Sequence, residues 1–281
     1  MLRILLIICG FMKNIRAASK GSTVNIINEI LKGRDALMSI INRVISFVVS
    51  VALAIILLSA LDEYGQEYFK ESETDMKDLV IVIDPGHGGV DGGASLSDHF
   101  NEKDINLDIS LKLKELLMND GMKVILTRDR DVSLESKSNL QLSRYRRDLD
   151  GRRNIIDNSE ADVFVSIHSN CFRSNPQTKG AIIFYYYDSE DEKRLAQCIG
   201  NSIDEILYRS FLENDKLTSK VLPENLYILR STKTPGVLIE VGYMTNLEEG
   251  RLLRQDDFQT VMAEAIYDGL KKFFSDMYSS L

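Results

Sequence analysis

The sequence predicts an α/β protein: a single domain built on one mixed sheet flanked by helices on both faces, preceded by one N-terminal transmembrane or signal helix. Two observations carry that expectation. From residue 79 onward, short β-branched or aromatic runs alternate with longer helix-period segments, the pattern of a parallel or mixed sheet with covered faces. Before them, residues 44–61 (VISFVVSVALAIILLSAL) contain no charge and no proline. The charge is split the same way. Residues 1–61 hold seven basic and two acidic side chains, and the other 220 hold 27 basic and 40 acidic, so the formal net charge of −8 averages two unlike parts.

The elements follow in chain order. Residues 1–43 form a basic cytoplasmic segment, and little fold is expected of residues 1–37 within it. Eighteen apolar residues at about 1.5 Å each span about 27 Å, the thickness of a bilayer core. Basic residues precede this run, and Asp62, Glu63, Glu67 and Glu71 follow it. That asymmetry places the N-terminus in the cytoplasm and everything beyond residue 61 outside. The run exceeds a usual signal-peptide apolar region and no convincing small-x-small site precedes Asp62, so an uncleaved anchor is preferred to a cleaved signal. Met38, followed by Arg43 and the apolar run, would begin a complete export signal by itself and is an alternative start. Residues 62–78 are acidic, polar and unpatterned and read as a linker. Residues 79–281 form the domain that carries the chemistry.

Within that domain LVIVID (79–84), MKVILT (122–127), DVFVSIH (162–168), AIIFYYY (181–187) and GVLIEV (236–241) read as buried strands. Helices are expected near 102–120, 142–158, 189–213 and 256–277. The last is the clearest, with Phe258, Val261, Met262, Ala265, Ile266, Leu270, Phe273, Phe274 and Met277 at three- and four-residue steps. One segment is ambiguous. Ile105, Leu107, Ile109, Leu111 and Leu113 alternate strictly, as in a strand, but the length, the helix formers in LKLKELLM and the Gly121 stop favour a helix.

Composition removes several function classes. An apolar fraction of 44% excludes wholesale disorder. Three cysteines make no disulfide scaffold, although Cys171 and Cys198 could pair outside the cell, and no C-x-x-C suggests a zinc ribbon. The acidic balance argues against nucleic acid as a partner. GHGGVDGG fits no phosphate-cradling motif, and neither G-x-S-x-G nor H-E-x-x-H occurs.

What remains is a set of metal-binding residue types at strand ends. His87 and His168 each follow a predicted strand, where α/β sheets place their chemistry. Asp84, Asp91 and Glu102 are nearby carboxylates, and His99 lies three residues before Glu102. Catalytic zinc takes three protein ligands, imidazole and carboxylate among them, plus water. The residues alone do not rank the carboxylates or exclude His99. Glu240 is a charge inside an apolar strand, costly there unless paired or near a metal. Asn170 is read as either a substrate contact or a turn residue, and Arg128 as either a substrate contact or a structural ion pair.

IVIDPGHGGVDGGA (81–94), NEKDINL (101–107), SIHSN (166–170) and GVLIEVGYMTNLEE (236–249) resemble, in order, the signature blocks of the zinc-dependent N-acetylmuramoyl-L-alanine amidases of the amidase_3 family. The resemblance implies a twisted mixed sheet with helices on both sides and a helix at 105–113. It implies one zinc ion held by His87, Glu102 and His168, with Glu240 catalytic, and it removes His99 from the ligand set. The implied substrate is peptidoglycan, cut between N-acetylmuramic acid and L-alanine. The compact layout, the anchor and SRYRRDLDGRRNIIDNSEADVFVSIHSN (143–170) resemble the germination-specific amidases of endospore formers, whose action precedes muramic-δ-lactam formation in the spore cortex. The alternatives are a vegetative cell-separation amidase or a non-catalytic anchored wall-binding protein. The location expected is outside the cytoplasmic membrane, facing the wall or the forespore intermembrane space. A partner lipoprotein, as some relatives need, is compatible with the sequence but not identified by it.

Overall fold

The computed structural model of the protein describes residues 23–97 and 100–278. The chain divides into two compact units, residues 1–69 and 70–281. In the first, helix α1 (Thr23–Met76) begins and contains the segment Glu29–Ala60, long and apolar enough to cross a membrane. The apolar side chains of residues 29–60, such as Phe47 and Leu58, are exposed. Two expectations change here. Helix begins at Thr23, within the stretch expected to hold little fold, and continues through most of the expected linker to Met76.

The second unit is the α/β domain. Its sheet contains β1 (Val80–Pro85), β4 (Lys123–Leu126), β5 (Val163–Asn170), β6 (Ile182–Tyr185), β7 (Lys220–Pro223) and β8 (Gly236–Tyr243), in the order β4-β1-β5-β8-β6-β7. All neighbours pair in parallel except β6 with β8, so the sheet is mixed. A two-stranded hairpin, β2 (Ser95–Ser97) with β3 (Phe100–Asn101), precedes helix α2 (Glu102–Asn119). Helices α3 (Arg144–Asp157), α4 (Glu190–Ser202), α5 (Tyr227–Ser231), α6 (Glu249–Leu252) and α7 (Asp256–Tyr278) complete the unit.

The ambiguous segment is helical for a packing reason. Ile105, Ile109, Leu113 and Leu117 are buried at four-residue steps, while Leu107 and Leu111 flank that stripe half-buried. The apparent alternation is one apolar stripe and its shoulder. Ser143 and Ser189 cap α3 and α4, each hydroxyl accepting a backbone N–H three residues on. Beyond Ser202 the chain widens into a π-helix, Ile203–Phe211, where Leu212 N–H reaches the Leu207 carbonyl five residues back.

Strand alternation gives the sheet two unlike faces. On one face Ile81, Ile83, Val165, Ile167, Val237 and Ile239 join a large core with Ile109 and Leu113 of α2, Leu195 and Ile199 of α4, and Ile266 and Leu270 of α7. On the other, Val82, Phe164 and Leu238 make a small cluster with Ile156, Ile228 and Leu229. Two residues further along the same strands, that thin face turns polar.

Candidate active site

The polar end of the thin face is Asp84 on β1, Ser166 and His168 on β5, and Glu240 on β8. Register puts Asp84 beside Ser166 and His168 beside Glu240. The β5–β8 pairing is irregular between His168 and Asn170, a local break of the kind found beside active sites. These residues floor a cavity of about 290 Å³, walled by Tyr145, Asp148, Leu149 and Arg152 of α3 and by Leu226, Tyr227 and Ile228 opposite.

His87 sits in the loop after β1 with φ of 61°, a left-handed conformation uncommon for a non-glycine residue. Two buried arginines hold that loop. Arg128 donates to the carbonyls of Pro85, Gly86, Lys103 and Arg130. Arg152 donates to the Pro85 and His87 carbonyls and to the carboxylates of Asp84 and Asp148. Two glycines are required by the same crowding. A Cβ on Gly86 would lie 2.3 Å from the His168 ring, and one on Gly93, whose φ is +66°, 2.6 Å from Glu102 Oε2.

Glu102 begins α2 and lies between the two histidines. Its Oε1 is 3.1 Å from His87 Nε2 and 2.9 Å from His168 Nδ1, while Oε2 accepts the Ala94 N–H. Asp91 Oδ2 lies 2.8 Å from His87 Nδ1, which leaves Nε2 facing Glu102. Burial disfavours charge on the His87 ring, but Glu102 and Asp91 outweigh it and raise its pKa to about 9. Burial likewise opposes ionisation of Glu102, and the two histidines reverse that effect and hold its carboxyl low. The field at this point favours positive charge. One donor atom from each of His87, Glu102 and His168 lies within 4.8 Å of the other two. Two imidazoles and one carboxylate are the donor set of a catalytic divalent metal with an open position, so the residues fit a metal ion.

Glu240 differs from every other carboxylate around it. Burial raises it to about 7, against the nearby His168 and His87, and its Oε2 has no hydrogen-bond partner. A buried polar atom left unpaired is destabilising, so its retention points to chemistry.

The structure brings His87, Glu102, His168 and Glu240 together and separates the other two expected site residues from the cavity. Arg128 is only 3% exposed, and four of its N–H groups go to backbone carbonyls. Its role here is structural through backbone carbonyls rather than through the expected ion pair, since among the described residues it makes none. Asn170 ends β5 outside the cavity lining, its carbonyl accepting the Met244 N–H. Cys171 and Cys198 are both free. His99 lies outside the described residues. Sequence reasoning missed Arg152, Asp148 and Tyr145. They follow a helical i, i+3, i+7 spacing, but nothing local distinguishes them from the other polar residues of α3.

Comparison with known proteins agrees with this geometry. The amidase_3 family, N-acetylmuramoyl-L-alanine amidase, matches residues 81–272. The germination-specific N-acetylmuramoyl-L-alanine amidase of Bacillus subtilis is 32% identical over 231 residues, covering 81% of this chain and 94% of the relative. The probable cell wall amidase LytH of Staphylococcus aureus is 29% identical over 209 residues, covering 73% of this chain and 62% of the relative. Among solved structures, the CwlD amidase of Clostridioides difficile, in complex with the GerS lipoprotein, superposes with a TM-score of 0.64 at 39% identity, covering 71% of this chain and all of that one. The catalytic domain of CwlV from Bacillus (Paenibacillus) polymyxa gives 0.57 at 31% identity, covering 70% of this chain and 98% of that one. With its signature residues gathered around His168 beside the expected mixed sheet, the chain belongs to the amidase_3 family of N-acetylmuramoyl-L-alanine amidases.

Proposed function

We propose that the chain cuts stem peptides from spore-cortex peptidoglycan, using zinc held by His87, Glu102 and His168 and a proton carried by Glu240. The observation that carries the chemistry is the buried Glu240 carboxylate, whose Oε2 has no hydrogen-bond partner, beside the His–Glu–His cluster. Bound there, zinc supplies Lewis acidity toward water and the scissile carbonyl. Glu240 takes a proton from the attacking water as its oxygen adds to the lactyl carbonyl carbon. It returns that proton to the departing L-alanine nitrogen as the C–N bond breaks, leaving a free lactyl carboxylate and a free amine. A pKa near 7 suits a group that must both accept and donate. Asp91 orients His87 through Nδ1, and Arg152 and Arg128 hold the loop that presents it.

The spore assignment is supported by coverage. The germination-specific relative matches over 94% of its length, whereas LytH matches over 62%. In this reading the product feeds muramic-δ-lactam formation. Residues 44–61 anchor the enzyme outside the cytoplasmic membrane, with 79–281 as its catalytic domain. A lipoprotein partner is supported by the neighbour solved with one. Asn170 contacts substrate only if the segment after β5 moves toward the cavity.

Product analysis tests the chemistry. Purified full-length protein should release peptides with a free L-alanine amino group from peptidoglycan, lose that activity to a chelator and regain it with zinc. Absence of such peptides, or activity that survives chelation, would refute the proposed reaction. Spores lacking the protein should contain no muramic-δ-lactam, and normal lactam would favour the vegetative role.

A further inference from the structure

The family assignment accounts for the floor of the cavity but not for its aromatic walls. Tyr145 is the most exposed aromatic ring described in the catalytic unit, at 61%. It is not on a random face of α3. With Asp148, Leu149 and Arg152 it forms the stripe that lines the cavity over Glu240. The opposite wall presents Tyr227, whose ring has the Arg230 guanidinium 5.6 Å from its centroid. That contact occupies one face of the ring, and Arg230 itself is not among the residues that line the cavity. Phe184, Leu149 and Leu238 also line the cleft, so its lining mixes apolar and aromatic side chains with the polar Asp148, Arg152, Glu240 and the histidines.

An exposed aromatic ring on an amphipathic cleft wall suits a ligand with flat apolar faces and polar edges. Stem peptides do not have that shape, whereas pyranose rings present C–H groups on their faces and hydroxyls around the rim. We infer that Tyr145 and Tyr227 form a sugar-binding subsite that seats pyranose rings of the glycan strand across the cleft. They deliver the lactyl amide to the floor. Both are positioning residues, because the reacting atoms meet Glu240 and the metal-binding cluster instead. The inference rests on the amidase reading of the same site.

The probe is glycan strand already stripped of its stem peptides, which binds without being cut. Full-length protein in detergent should bind it, and Tyr145→Ala and Tyr227→Ala should each weaken binding by roughly fivefold to twentyfold. On intact peptidoglycan the same variants should raise KM by a similar factor and leave kcat within about twofold. Tyr145→Phe and Tyr227→Phe keep the ring face and should bind like wild type. Tyr145 is exposed, so its alanine variant should fold normally. Tyr227→Leu serves as a second variant, retaining bulk without an aromatic face. Unchanged glycan binding in the alanine and leucine variants would overturn the subsite, as would phenylalanine variants as weak as alanine. Glycan binding that depends on both rings, in a protein that releases no peptide, would uphold the subsite and defeat the amidase reading separately.

Discussion

The two faces of the central sheet are made by alternate residues of the same strands, yet they serve opposite ends. The thick face, from Ile81 through Ile239, lies under three long helices and is dry. The thin face starts as a six-residue apolar cluster and ends as Asp84, Ser166, His168 and Glu240 around a cavity. Packing on one side holds strand ends rigid enough to present strained or unpaired groups on the other. His87 at a positive φ and the unpaired Glu240 oxygen are tolerated because the opposite face anchors β1, β5 and β8. Two glutamates nine residues apart show the same contrast. Glu249 is also raised by burial, but its oxygens accept the Gly180 and Tyr243 N–H groups. Glu240 has an oxygen to spare.

The largest effect expected from breaking this contrast is at Glu240. Glu240→Gln should lower the rate of peptide release by about 10²- to 10⁴-fold, with thermal stability unchanged or raised, because the buried charge is removed. Assay and melting curve together decide it. Near wild-type turnover would mean the proton is carried elsewhere.

Next is Asp84, where the thin face is structural rather than chemical. It accepts hydrogen bonds from Thr127, Arg152 and Ser166, and all of these groups are buried. Asp84→Asn leaves Arg152 short of its buried partner and should cost about 3–5 kcal/mol in denaturant unfolding. The pH dependence follows from the carboxyl. Burial raises its pKa, but Arg152 and the two hydroxyls outweigh burial and hold it below the usual value. A pKa lowered by folding gives stability that is complete above about pH 4, the unfolded value, and lost as pH falls through the folded one. The gap between wild type and Asp84→Asn should therefore close on acidification, and a constant gap would show that the ionised carboxylate is not what matters.

On the thick face, Leu113→Ala should cost about 2–5 kcal/mol of stability while turnover per folded molecule stays the same. A large loss of turnover in the folded fraction would show that the two faces are not separable in this way. Smaller again, Glu249→Gln should cost about 1–3 kcal/mol, since an amide has one acceptor oxygen for two backbone donors, and should keep its activity. The smallest effect should come from the exposed pair Lys179–Glu248. Lys179→Ala should change stability by less than about 1 kcal/mol, and a larger change would mean the pair is not merely superficial.

Most of the fold was legible locally. Strands of buried β-branched residues and the apolar stripe of α7 follow from period alone, and the five expected strands and four expected helices each occur within a few residues of their expected bounds. β7 was missed because KVLP is four residues of an exposed edge ending in proline, too short for a period to register. The hairpin before α2 was missed for the same reason. The helix over the expected linker also went unread, because residues 62–78 carry no apolar stripe to announce one.

By itself, the sequence determined the strand-and-helix alternation, the apolar N-terminal run and the residue types able to hold a metal, because each is written in neighbouring positions. Only the tertiary structure decided how distant residues meet. It set Glu102 between histidines 15 positions before it and 66 after it, through the register of β1, β5 and β8 and the docking of α2. It spent Arg128 on carbonyls and recruited Arg152 and Tyr145 to the cavity. The physical reason is that side-chain chemistry is fixed by the residue, whereas burial, hydrogen-bond partners and the electric field at a group are fixed by what folding packs beside it.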